Sequence, residues 1–113
     1  MNFPGILGVE GIGTILESSV PLQNFKVGDR VGWAGGTKSY AEFLTLNEDQ
    51  LIPLPVSISS ETLLPLLLQG LTAHFLATSS HVASSKTTAL VTAASGGVGS
   101  VLIQLLRLAG ARV

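Results

Sequence analysis

Hydrophobic positions along this chain change their rhythm near residue 56. Before that point they fall in short runs, Ile12 to Leu16, Val31 to Ala34, Tyr40 to Leu46 and Leu51 to Leu54, separated by Gly, Pro, Asn and Asp clusters. This is the pattern of short strands joined by turns. Val27-Gly28-Asp29-Arg30-Val31 reads as a turn feeding a strand, Gly35-Gly36-Thr37-Lys38 as a second turn and Asn47-Glu48-Asp49-Gln50 as a third. Pro53 and Pro55 then make an extended connector, because proline fixes its own φ and biases the preceding residue away from helix.

Beyond the connector the pattern becomes helical. Ser59 is placed to cap a helix whose first turn holds Glu61, a carboxylate that suits the positive end of the helix dipole. Pro65 predicts a kink or a second helix start, with the helical pattern running to about Thr78. After the polar loop Ser79 to Lys86, Thr87 to Ala93 is apolar and β-branched, as expected of a buried strand. A glycine turn leads from it into a helical stretch, Ser100 to Ala109, with Ser100, Gln104 and Arg107 on one narrow polar face. Gly110 is the stop signal, and Ala111-Arg112-Val113 reads as the start of another strand. Trp33, Tyr40 and the leucines between residues 63 and 71 are expected in the core, as is Phe75. The order β-rich block, helix, then strand–turn–helix–strand predicts an α/β molecule.

Composition narrows the function classes. Apolar residues make up 46% and charged residues 12% of 113 residues, enough for a packed core and far from the composition of a disordered chain. The net charge of −1 gives no basic footprint for nucleic acid. Cysteine is absent, which removes disulfides, thiolate zinc sites and cysteine nucleophiles. The most apolar stretch, Leu63 to Ala77, is interrupted by Pro65, Gln69, Gly70, Thr72 and His74, and is too short for the roughly 20 apolar residues of a membrane span. The N-terminus lacks the basic-then-apolar order of a secretory signal, so a cytoplasmic location is expected.

The candidate chemistry lies in Ala94-Ser95-Gly96-Gly97-Val98-Gly99, a variant of the dinucleotide fingerprint with alanine at the usual first glycine. Such a turn must be tight, must let backbone N–H groups approach a pyrophosphate, and must let the helix pack closely on its strand. The residue that reads the ribose lies about 20 positions further on, past Val113, so NAD and NADP are not distinguished.

Several segments together carry a family resemblance. Leu7-Gly8-Val9-Glu10-Gly11-Ile12-Gly13, Lys26-Val27-Gly28-Asp29-Arg30-Val31 and Tyr40-Ala41-Glu42-Phe43 stand in the order seen in medium-chain dehydrogenases/reductases. Gln69-Gly70-Leu71-Thr72-Ala73-His74-Phe75-Leu76, followed by Ala93 to Gly99, resembles the zinc-free quinone oxidoreductase branch. The resemblance implies a partial GroES-like β-barrel catalytic domain over residues 1–56. Residues 57–113 would be the truncated start of a Rossmann domain, with the cofactor in the cleft between the two. It also implies a several-fold longer parent protein, of which this chain is a fragment. Gly96, Gly97, Val98 and Gly99 would touch the pyrophosphate, and Thr72 matches a position on the nicotinamide side. In zinc-dependent members a histidine precedes the glutamate of the early Gly-x-Glu motif. Here Val9 stands there, and Glu10 alone cannot supply three metal ligands. His74 and His81 have no histidine four residues away. One departure is Ser84-Ser85-Lys86-Thr87, where the family commonly has a glycine before the first Rossmann strand.

The function expected from the resemblance is hydride transfer from NADP(H), with NAD(H) not excluded, to a small-molecule quinone or enone, without zinc. A homodimer of the full-length protein is also implied. Positioning dominates such chemistry, and no catalytic acid or base is assigned. Glu10, Glu17 and Glu42 read as solvated. Two other readings stand beside it: an enoyl reductase unit of a larger synthase, and a non-catalytic interaction fragment. By itself the chain is expected to be inactive, and self-associating or poorly stable.

Overall fold

The computed structural model describes residues 5–35 and 38–113, which form two compact units, Met1–Leu67 and Leu68–Val113. The turn expected at Gly35 to Lys38 includes Gly36 and Thr37, which lie outside the described residues.

In the first unit three strands, β1 (Glu10–Thr14), β2 (Arg30–Ala34) and β3 (Ile52–Pro53), make an antiparallel sheet in the order β1-β2-β3. Ile12 pairs with Gly32, and Val31 pairs with Pro53. The turn before β2 is built as its residues dictate. Asp29 accepts the Lys26 N–H through Oδ2 at 2.9 Å, and Gly28 takes φ +93°, a conformation that side chains disfavour. Val31 is then delivered to the core at 3% exposure, with Leu67 at 6%. Arg30 reaches along the connector, donating to the carbonyls of Pro55 (3.2 Å) and Ile58 (2.6 Å) and to Ser60 Oγ (2.9 Å). The Asn47 to Gln50 turn is a single 3-10 turn closed by a capping box, in which the Gln50 side chain accepts the Asn47 N–H at 2.9 Å.

Ser59 caps α1 (Ser60–Leu63) as expected, its Oγ accepting the Thr62 N–H at 3.3 Å. Glu61 in that first turn is held below the ordinary carboxylate range by its own backbone N–H, then by the Ser59 hydroxyl and the Arg30 charge. Pro65 sits in a 3-10 turn, Leu64–Leu66, that ends α1 and closes the first unit. Residues 57–67 thus pack with the β-rich half.

The second unit holds α2 (Leu68–Phe75), a π-helical turn Leu76–Ser80, and α3 (Gly97–Leu108). Ala77, Leu106 and Ala111 form its core, flanked by Ala83, Ala89, Val91, Leu102 and Leu105.

Three expectations are corrected. Residues 40–43 form bends and 44–46 irregular chain instead of a strand: Ser39 and Tyr40 bond back to Gly8 and Leu7, and the Ala41 N–H then turns onto the Ser39 carbonyl at 2.9 Å. Thr87 to Ala93 is not a buried strand. Among the described residues its pairing is one parallel bridge, Thr88 to Arg112, and Leu90 is 93% exposed. A parallel strand is buried only when neighbours flank it and cover both faces, and Arg112 pairs with it on one side alone. Finally, Tyr40 (76%) and Phe75 (57%) are exposed, as are Leu64, Leu66, Leu68 and Leu71, while Trp33 is half-buried. Sequence hydrophobicity places such residues inside, but apolar side chains also populate surfaces wherever nothing covers them.

Candidate nucleotide-binding turn

The candidate site is the junction between residues 92–95 and α3. The chain reverses there through Ala93, which takes φ +52°, a left-handed conformation uncommon for a residue with a side chain. The Ala93 carbonyl accepts the Gly96 N–H at 2.9 Å, and Gly96 then stands at the N-cap of α3. No side chain caps this end. The N–H groups of the first turn have no intrahelical acceptor, and Gly96 and Gly97 are exposed. Together these leave backbone donors and the positive end of the helix dipole open at Gly96, with the Gln69 side chain against Gly97.

Gly99 serves packing. A Cβ there would fall on the Ala93 carbonyl oxygen and lie 3.0 Å from Ala94 Cα, so only glycine lets the helix close on the preceding turn. Gly97 faces α2 instead, with the Gln69 side chain in the space its own would fill. Gly96, Val98 and Gly99 share the wall of an open groove of about 420 Å³ with Leu90, Val91 and Leu102. Gly97 and Thr72 are not among its lining residues. Thr72 lies half-buried on α2 and donates its hydroxyl proton to the Leu68 carbonyl at 2.6 Å.

Sequence reasoning had Ala93 and Gln69 only as members of the resembling segments and gave neither a role in the site. Nothing local marks either one: alanine has no preference for positive φ, and Gln69 meets Gly97 only because the two helices pack together. His81 also borders the groove, with Nε2 at 3.3 Å from Thr87 Oγ1. Of the acidic residues expected on solvated faces, Glu17 and Glu42 are exposed, whereas Glu10 is half-buried on β1. Among the described residues no group of three His, Asp or Glu side chains gathers as a metal site, and no helix is long and apolar enough to cross a membrane.

No family model matches the chain. Individual proteins do. A quinone oxidoreductase of Pseudomonas aeruginosa is 35% identical over 113 residues, covering 99% of this chain and 35% of the relative. Among solved structures, mycobacterial Rv1454c complexed with NADPH superposes with a TM-score of 0.91 at 35% identity, covering all of this chain and 36% of that one. Escherichia coli quinone oxidoreductase complexed with NADPH gives 0.88 at 30% identity, covering 96% and 34%. The JamJ enoyl reductase gives 0.82 at 26% identity, covering 92% and 31%. The chain spans about a third of the length of the curated relatives it matches. Over its 113 residues this chain is similar in sequence and in α/β fold to quinone oxidoreductases of the medium-chain dehydrogenase/reductase superfamily.

Proposed function

We propose that these residues serve an NADPH-dependent oxidoreductase of quinone reductase type, in which residues 1–56 belong to the catalytic domain and residues 57–113 open the dinucleotide-binding domain. The observation that carries this reading is the uncapped, glycine-lined start of α3. Gly96 is exposed and puts no side chain of its own between the first-turn N–H groups and an anion, which fits a pyrophosphate. When bound, the nicotinamide supplies the hydride. This chain's residues bind and orient. Gly96, Gly97, Val98 and Gly99 present backbone donors, while Ala93 and Gly99 fix the angle at which α3 leaves the turn. Thr72, its proton committed to Leu68, offers only acceptor lone pairs, which suits a carboxamide N–H donor. NADPH is the nucleotide named with two of the structural relatives.

The acceptor in this reading is a small-molecule quinone or enone, and the protein works in the cytoplasm as a homodimer without zinc. The test is oxidation of NADPH by the full-length protein with a panel of quinones and enones. Turnover with a quinone is the expected result, and no oxidation with any acceptor would overturn the assignment. The likeness to JamJ favours a second reading, reduction of an enoyl thioester. The ratio of kcat/KM for quinones to that for enoyl thioesters separates the two.

A further inference from the structure

Thr72 and the glycine turn come from different helices, and one side chain joins them. Gln69 precedes Thr72 by three residues on α2, so the two share a helix face. The Gln69 side chain lies against Gly97, the first residue of α3. A Cβ built on Gly97 would stand 3.1 Å from Gln69 Cγ and would overlap Cδ and Oε1. Gly97 does not take a positive φ, so its backbone does not demand glycine. Gln69 does.

We propose that Gln69 is a positioning residue of the nucleotide site. Seated on the bare Cα of Gly97, its side chain fixes the spacing between the Thr72 helix and the first turn of α3. Its neutral amide lies against Gly97, the first residue of the helix whose N-terminus would receive the phosphates. The proposal rests on the dinucleotide reading above. Neutrality matters as much as shape, because a carboxylate at this position would repel an anion at close range while filling the same volume.

The experiment uses the full-length protein and five forms: wild type, Gln69→Ala, Gly97→Ala, the double variant, and Gln69→Glu. Two quantities are read, Tm without nucleotide and Kd for NADPH. Gly97→Ala is expected to lower Tm modestly and to weaken NADPH binding several-fold, because it displaces the Gln69 side chain from its seat. The double variant should recover the Tm of Gln69→Ala, because the overlap is gone, and still bind NADPH several-fold more weakly than wild type. Gln69→Glu should keep the wild-type Tm and lose about tenfold in NADPH affinity, more at low salt. That loss reports that the side chain at position 69 stands close to the bound phosphates. The proposal is overturned if Gly97→Ala lowers Tm equally in both backgrounds, or if Gln69→Glu binds NADPH as wild type does. If the Tm coupling is present but wild type binds no NADPH, the dinucleotide reading fails and the positioning role fails with it. If NADPH binds and the coupling is absent, the positioning role fails alone.

Discussion

Glu48 shows a single carboxylate holding a loop by its backbone. Its Oε1 accepts the N–H groups of Gln23 at 2.9 Å and Asn24 at 2.6 Å, and its Oε2 lies 3.1 Å from the Gln23 nitrogen. The Asn24 N–H, then that of Gln23, keeps the carboxyl ionised to a pH below its ordinary value of 4.5, and Phe25 adds to this. Because the folded value is depressed, the contribution to stability is fully present above the ordinary value and is lost as pH falls through the folded one. Glu48→Gln is therefore expected to lower Tm at neutral pH, with the difference from wild type closing as pH falls below the ordinary carboxylate value. Thermal melts across that range check it, and a difference independent of pH would show that the charge is not what holds the loop. Residues of this kind are hard to read from sequence. Glu48 was legible as part of a turn, but its partners lie about 25 residues earlier in the chain. Gly96 and Gly99 were legible because their requirement is local. Gly97 was legible as a glycine of the motif, whereas its neighbour Gln69 was not.

At the scale of elements, Arg30 explains why the turn motif Val27 to Val31 ends on a long cation before a buried residue. The strand is set by Val31, and the guanidinium ties the extended connector and the start of α1 to it. Arg30→Met should destabilise the chain by about 1–2 kcal/mol, the loss expected for hydrogen bonds made by a partly solvated charged donor. Urea unfolding measures this, and an unchanged midpoint would mean that water replaces the guanidinium without loss. The helices follow their local signals closely. Ser59 caps, Pro65 interrupts, and the polar face Ser100, Gln104 and Arg107 is exposed. Strands depend on partners. Residues 87–93 carry the apolar, β-branched composition of a strand yet make one bridge, because composition sets a preference and pairing decides the outcome.

At the scale of the whole chain, much apolar surface faces outward. Leu90, Val56 and Leu108 are nearly fully exposed, as are Phe43 and Val82 to a large degree. Apolar surface left uncovered in this way marks contact with another protein or a tendency to associate. The 113-residue chain by itself is expected to sediment as a concentration-dependent mixture of species. A clean monomer with one cooperative unfolding transition would contradict this.

What the sequence by itself determined are features whose physics is local. These are the glycine turn between an apolar run and a helix, the Ser59 cap, the Pro65 break, the Asp29 turn into β2, and an α/β order of elements. Each depends on allowed φ/ψ, capping or periodicity within a few residues. Only the tertiary structure decided that Tyr40 and Phe75 lie outside, that Ala93 rather than Ala94 takes the left-handed turn, and that Gln69 occupies the space above Gly97. Those outcomes are set by which surfaces meet when helices pack and strands pair. That is a property of contacts distant in sequence, and no local pattern encodes it.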